Sequence, residues 1–295
     1  MPSPSNRPST LTVTGQIGDV MKESAEAVKV VDTHRAKQQS RDLGQVLSGV
    51  EGVAVRSSGG LGSFTRFSLN GLYDNQIRFF IDGVPMDIAG FPEGIANVPV
   101  NLIDHIEIFR GVLPVRFGAD ALGGAVNLVT QKLLDSNAYL SFQRGSYGTY
   151  RTAATLGYHH RPSGIAIGGS GFFDDARNDY LIDVEIADKS GQVLPAVVRR
   201  FHDHYRSYGG VIQVALLGKP WAERISLQLF GLNYDKEIQH DAVMKKPVAE
   251  AKNGAGTLGA TLRYEQPLSE ELSLATVASV GRKTIRFVDL SNYTY

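Results

Sequence analysis

The sequence predicts an α+β domain followed by antiparallel β-strands of membrane-crossing length. Three observations carry this expectation. Glycine (32), tyrosine (12) and phenylalanine (13) are abundant, as in turn-rich β-structure rather than a helical chain. The pattern changes at Leu134, from short mixed elements to long segments of alternating polarity. Those segments run to about ten residues or more, the length a tilted strand needs to cross hydrocarbon, whereas soluble strands peak at about five or six.

Composition narrows the function classes. Lys plus Arg and Asp plus Glu each number 30 in 295 residues, for a formal net charge of +0, so no basic field points to nucleic acid. The absence of cysteine excludes a disulfide framework and a thiolate metal site, and it suits passage through an oxidising compartment. No run of about 18 apolar residues marks a transmembrane helix. The opening MPSPSNRPST lacks the apolar core of a signal peptide. The remaining sequence favours export, so the natural N-terminus is expected to lie further upstream.

Three zones follow in order. Residues 1–36 are Pro/Ser-rich and then polar, an extended lead. Residues 37–132 form the α+β unit. Within it, Leu43, Val46, Leu47 and Val50 have helical spacing across 41–50, with Gly49 and Gly52 at the end. Strands are expected at 53–56, 65–70, 77–81, 105–110 and 125–130, separated by the turn signals SSGGLG, NGLYDN, DGVP and GADALGG. Residues 137–295 hold the alternating segments, at 137–145, 149–161, 205–217, 224–235, 256–265 and 272–283, read as about seven strands in all. In the third of these, Ile212, Val214 and Leu216 alternate with Gln213 and Ala215.

The connections vary too. GSYG, RPSG, GKPW and QPLSEE are short, whereas 174–204 and 236–255 are long and polar. Short turns on one side and long loops on the other are the layout of an outer-membrane barrel. A soluble sandwich shares the alternation but not the strand length. Tyr147, Tyr150, Tyr158, Tyr205 and Tyr208 fall near strand ends, where aromatic side chains anchor a barrel at the lipid–water boundary.

Five blocks in the middle zone resemble the plug of TonB-dependent receptors. They are Leu47–Val53 (LSGVEGV), Phe67–Gly71 (FSLNG), Ile81–Pro85 (IDGVP), Ile103–Gly111 (IDHIEIFRG) and Arg116–Thr130 (RFGADALGGAVNLVT). Their order and the alternating segments directly behind them make the resemblance specific over about eighty residues. A further stretch, Thr10, Leu11, Thr12, Val13 and Thr14 followed by Gly15, resembles the TonB box, which would pair as an added β-strand with an energy-transducing partner. The physical content of the blocks is legible on its own. Gly71, Gly83, Gly111, Gly118, Gly123 and Gly124 stand where strands end in sharp turns. Asp82, Gly83 and Pro85 mark a tight turn. Glu107 and Arg110 share a strand with Ile106, Ile108 and Phe109, so their charges must be paired or face water. Asn127 belongs to the last block. By resemblance, Arg110 takes one of two positions whose arginines lock plug to barrel; Asn70 stands at the other, a departure from the family.

The resemblance implies a receptor and transporter in the outer membrane of a Gram-negative cell, with plug and N-terminus accessible from the periplasm. Its implied partners are a TonB-type energy-transducing protein, outer-membrane lipid and a scarce small ligand. An iron–siderophore or similar metal chelate is the commonest cargo; cobalamin, other metals and oligosaccharides share the same plug. Ligand contact belongs to the plug's apical loops, for which Arg56, Ser57, Tyr73, Phe91 and Glu93 are the candidates: a fixed cation for an anionic chelate and flat aromatic surface. A family barrel of 22 strands needs far more residues than follow the plug, so the barrel is expected to be truncated. No cofactor is implied and no enzyme: Ser48, Ser57 and Ser170 lack a nucleophile-elbow context, and no P-loop is present. His202 and His204, two apart on an expected extended segment, are the weak candidates for a metal, beside the plainer reading as a solvated loop. The competing function is a plug-like binding or signalling module that is not itself a transporter.

Overall fold

In the computed structural model the described residues are 28–38, 42–73, 76–89, 95–111, 117, 123–131, 133–187, 190–240, 247–269 and 272–290. The first half is a two-sheet α+β unit. Its elements are β1 (Val28–Asp32), α1 (His34–Gln38), α2 (Leu43–Ser48), β2 (Val53–Ser57), β3 (Thr65–Leu69), β4 (Leu72–Tyr73), β5 (Ile77–Ile81), β6 (Val84–Pro85), α3 (Met86–Ala89), β7 (Ile103–Phe109) and β8 (Gly124–Thr130). Short 3-10 turns at Ile95–Asn97 and Val100–Leu102 precede β7.

Local chemistry explains α2. Asp42 caps it by accepting from the Gln45 backbone N–H at 2.7 Å, and Gln45 reciprocates by accepting from the Asp42 N–H at 3.3 Å, a capping box. Leu43 and Leu47, one turn apart, are fully buried. The helix stops at Gly49, and Gly52 (φ 74) turns the chain into β2.

One sheet has the order β1-β7-β8-β5-β6, antiparallel except for the parallel β5–β8 pair; the other is β2-β3-β4. Between sheets and α2 lies an apolar core that includes Leu43, Leu47, Leu69, Ile106, Ile108 and Leu128. β1 departs from expectation. It lies inside the segment read as an extended lead, yet it pairs with β7 from Val28↔Phe109 to Asp32↔His105. The β-branched run VKVVD covers the β7 edge, and polar flanks hid that signal.

The second half is a wall. β9 (Asn137–Gly145), β10 (Thr149–His160), β11 (Ile165–Ala176), β12 (Leu181–Ala187), β13 (Val193–Arg199), β14 (Tyr205–Lys219), β15 (Ala222–His240), β16 (Pro247–Pro267) and β17 (Ser273–Asp289) follow in order. Seven of them form one antiparallel sheet, β17-β16-β15-β14-β11-β10-β9; β12 and β13 make a separate hairpin between β11 and β14. β11, bracketed in the sequence by the RPSG turn and the polar 174–204 segment, is not among the named alternating segments. Its Gly168, Gly169 and Gly171 weaken the alternation signal. The segment 236–255, expected as a loop, is largely strand: β15 and β16 stay paired from Lys236↔Asn253 to Ile238↔Ala251 and, past a bulge, His240↔Pro247. That stretch is polar on both faces and shows no apolar period. Antiparallel order also places the short β9–β10 turn at the same end as the long β11–β14 connection, here the upper end.

The wall's polarity is inverted relative to a soluble sheet. Ile212 (60 % exposed), Val214 (47 %), Leu227, Leu229, Leu258 and Val280 point away from the first half. Gln213, Ala215, Ser226, Thr257 and Thr261 point toward it and are buried. Among the described residues no helix is long and apolar enough to cross a membrane, which leaves strand crossing untouched.

The two halves meet on this polar face. Leu102 packs on Ala153, Phe172 and Leu232. The connecting segment leaves along the wall's lower end, where the Leu133 carbonyl lies 1.9 Å from where a Cβ at Gly168 would stand and 2.7 Å from one at Gly157. Only glycine admits that approach.

Candidate functional site

The motif residues converge at the lower end. Asp82 (φ 50) and Gly83 (φ 79) are the two residues of the β5–β6 turn, with Ile81 paired to Val84, as a type I′ hairpin requires. The Asp82 carboxylate accepts from the Thr130 N–H at 2.9 Å and the Thr130 hydroxyl at 2.7 Å. Burial pushes its pKa up, against those two bonds. The Gly83 N–H donates to Asn127 Oδ1 at 3.0 Å, and Asn127 Nδ2 donates to Glu107 Oε2 at 2.8 Å. Three of the five blocks thus form one hydrogen-bonded chain. Pro85 pairs with Phe80 on β6, an edge strand, where a missing N–H is tolerated.

Glu107 is buried, and its charge is answered by Asn127 and by His105 at 3.8 Å. His105 is raised to about 9, chiefly by the bond to Asp104 at 2.9 Å, with Glu107 second. Gly124 (φ 122) brings the Phe109 carbonyl to 2.2 Å from a would-be Cβ, whereas Gly111 (φ 81) turns in open space. Gly118 lies outside the described residues.

The described contact of Arg110 lies inside the plug: its Nη2 donates to the Glu51 carbonyl, beside Gly52, whose carbonyl accepts the Asn70 N–H at 2.7 Å. A polar wall contact at the lower end comes from the other direction: Arg263 on β16 donates from Nη2 to the Asp82 carbonyl at 2.8 Å, with Glu265 at 3.6 Å from its Nη1. A gap of about 80 Å³ opens beside this contact, lined by Asp82, Leu102, Phe172, Phe230 and Arg263 among others. Sequence reasoning missed Arg263, although its parity, shared with Thr261, marks it as facing the plug.

At the upper end the candidate ligand residues separate. Arg56 and Arg66 are directly opposite on β2 and β3. Arg56 is exposed, and the Arg66 guanidinium lies 5.7 Å from the Tyr73 ring, itself exposed. Ser57 is not on that face; its hydroxyl donates to the Gly59 carbonyl at 2.8 Å and shapes the β2–β3 tip. Phe91 and Glu93 lie outside the described residues, as do Thr10, Leu11, Thr12, Val13 and Thr14.

His202 and His204 do not converge. His202 has φ 52, so the segment is a turn and the two-residue rule for extended chains does not hold. His204 Nε2 meets Asp175 at 3.0 Å, whereas His202 lies 3.7 Å from Glu237. Among the described residues no cluster of three or more His, Asp or Glu side chains is placed to hold a metal. Tyr205 leaves the expected girdle as well. It faces inward and is buried under Gly62, while Tyr150, Tyr158 and Tyr208 remain outward. Its parity with Ser207 and Gln213 carried that information.

The wall's buried charges also escaped the sequence reading. Arg151 and Asp174, paired across β10 and β11, bond through Nε at 3.1 Å and Nη2 at 2.8 Å. Asp203 holds Arg200 Nε at 2.8 Å and Lys236 Nζ at 2.7 Å.

Comparison with known proteins agrees with this architecture. The family model for the TonB-dependent receptor plug domain matches residues 20–125. The vitamin B12 transporter BtuB of Vibrio vulnificus (strain CMCP6) is 33% identical over 92 residues, 31% of this chain and 15% of that protein. Among solved structures, the ferric-catecholate import receptor Fiu of E. coli K12, in its open form, aligns with TM-score 0.63 at 13% identity, covering 88% of this chain and 39% of that one. The siderophore receptor PiuA of Acinetobacter baumannii aligns with TM-score 0.60 at 15% identity, covering 88% and 37%. The chain therefore spans well under half the length of these relatives. The matched motifs occupy the two-sheet unit, and the aligned fold continues through the wall. Residues 20–125 thus match the plug domain of TonB-dependent receptors, and the antiparallel strands behind them share the fold of the solved receptors' barrels.

Proposed function

We propose that this protein is an outer-membrane receptor and transporter that takes up a scarce ligand, an iron–siderophore or similar metal chelate, with energy supplied through a TonB-type partner. The observation that carries the reading is the wall's inverted polarity around the plug: apolar side chains outward, amides and hydroxyls inward. Such a sheet suits lipid on one face and a wet lumen on the other, and a plug seated on the wet face obstructs passage until it moves. The relatives' names point the same way, to vitamin B12 for one and to siderophores or ferric catecholates for others. Plug and N-terminus are accessible from the periplasm in this reading. The segment Thr10–Thr14 pairs with the TonB-type protein by strand addition. Arg56, Tyr73, Phe91 and Glu93 contact the ligand and Ser57 shapes the tip beside them. The ligand's bonds are left intact.

The test is deletion of residues 10–15 in the intact receptor in its own cells, with radio-iron-loaded siderophores and labelled cobalamin as probes. Uptake of the bound probe should fall to background while surface binding persists, because coupling and recognition use opposite ends of the plug. Unchanged uptake rejects the coupling segment. Binding with no uptake even in the unaltered protein favours a binding or signalling module instead.

A further inference from the structure

The tip of the β2–β3 hairpin fits a socket at the root of the β11–β14 connection, and three glycines make the fit possible. Gly62 (φ 82) lies under the Tyr205 ring, which would stand 2.1 Å from a Cβ there. A Cβ on Gly60 would stand 2.2 Å from Asn178 Oδ1, and one on Gly59 3.3 Å from the Tyr180 hydroxyl. Leu61, between them, packs against Tyr205, Tyr234 and Ala255 of the wall.

Hydrogen bonds close the socket. Asn178, buried and at φ 55, donates from Nδ2 to the Leu61 carbonyl at 2.9 Å and to the Asp203 carbonyl at 3.0 Å. Asp203 is held in turn by Arg200 and Lys236, and the Arg200 guanidinium lies 5.2 Å from the Tyr180 ring. Asn178 and Tyr180 immediately precede β12, and Arg200 and Asp203 immediately follow β13. One amide therefore joins plug tip and both feet of the upper hairpin.

We propose that the plug tip latches this hairpin. While Leu61 is seated, its carbonyl and the Asn178 amide fix the two feet of β12–β13, themselves joined by the Arg200 N–H to the Tyr180 carbonyl at 2.9 Å, over the plug. When the tip withdraws, Asn178 loses one acceptor, Tyr205 loses its cover, and the hairpin is released. The position of the upper loop thus follows the position of the plug. A two-stranded hairpin has marginal stability by itself, so an anchor at its feet decides its order. The inference concerns the plug and hairpin alone, and it stands or falls apart from any choice of cargo or energy source.

Hydrogen exchange of the Leu181–Arg199 amides tests it, in the intact protein, with Gly60→Val and Asn178→Ala. Valine displaces the amide by bulk; alanine removes it without added bulk, at the cost of a left-handed φ of 55 that asparagine tolerates better. Both should speed hairpin exchange about tenfold, the effect of losing a hydrogen bond and its packing, and leave β14–β15 amides unchanged. Hairpin exchange within twofold of wild type in Asn178→Ala overturns the latch, and faster exchange throughout the wall overturns it as well, since the effect is then global. The third variant uses the cysteine-free background. A Cβ on Gly60 would lie 3.4 Å from that of Asn178, close to disulfide geometry, so Gly60→Cys with Asn178→Cys should cross-link on oxidation and keep the hairpin slow to exchange. No cross-link, or a hairpin that exchanges faster when oxidised, rejects the seated geometry.

Discussion

The interior of the plug and its contact with the wall are built from opposite materials. Inside, Leu43, Leu47, Leu69, Ile106, Ile108 and Leu128 are fully buried against one another. Where charge intrudes, as at Glu107, it is bonded to Asn127. At the wall, the buried groups are amides, hydroxyls and ions interleaved with alanines and a few larger apolar side chains such as Phe172 and Leu232. Among the described residues Thr155 Oγ1, Thr257 Oγ1 and Arg224 Nε have no partner there, as Arg110 Nε has none in the plug. An apolar interior gains roughly 25 cal/mol per Å² removed from water, whereas an orphaned buried polar group costs about 1–3 kcal/mol. The difference bears on the proposed transport, in which the plug has to stay one body and still leave its seat. Its own core is cohesive, and its interface is held at a few directional points, Asp82 with Arg263 below and Leu61 with Asn178 above.

The largest expected effect lies on the cohesive side. Ile106→Ala removes a side chain from the centre of β7 and should destabilise the plug by about 2–5 kcal/mol. Denaturant unfolding, read by a probe on β7, measures it. A loss below about 1 kcal/mol would mean that the core is not the cohesive element, and the contrast with the interface would collapse.

The second effect tests the wall's two faces. Val214 faces outward and Ala215 inward, on successive residues of β14. Val214→Arg places a charge where the proposed function puts lipid and should cost about 2–4 kcal/mol of assembly. Ala215→Arg meets a polar face and should be better tolerated, limited by the space beside the plug. Folding into vesicles of the intact protein, scored by heat-resistant mobility on gels, separates them. Equal damage would reject the parity.

How much of this was legible in the sequence depends on which signal a residue carried. The α2 helix, the Asp82–Gly83 turn and the parity of Ile212 and Val214 all follow from local rules, periodicity and turn chemistry. β1 and β11 escaped because their signals are short or interrupted: VKVVD sits in a polar lead, and Gly168 is glycine because a carbonyl from another segment crosses it. Arg263, Asn178 and Tyr205 escaped for a third reason. Each is defined by a partner 100 residues or more away in the chain, at Asp82, Leu61 and Gly62. Local pattern gives a side chain's face; it does not give what waits there.

The smallest effect concerns charge at the plug's lower end and sharpens the comparison, because it falls on a group that belongs to both regimes. His105 is on β7, whose Ile106 and Ile108 fill the core, yet its ring is bonded to Asp104 and lies near Glu107. Those acceptors raise its pKa from 6.5 to about 9. A histidine raised on folding binds its proton more tightly in the folded state. Its contribution to stability is therefore complete below pH 6.5, and it is lost as pH rises through about 9. His105→Gln keeps a donor of similar size without the charge, so its stability should lack this component of the pH dependence. Hydrogen exchange of the β7–β8 amides, taken as the ratio of wild type to variant at each pH, isolates the effect from the intrinsic rise of exchange with pH. That ratio should show wild type more protected below pH 6.5 and converge with the variant above pH 9. A ratio that is flat across the window would show that the Asp104–His105 pair is screened by water and adds nothing to the cohesion of the plug.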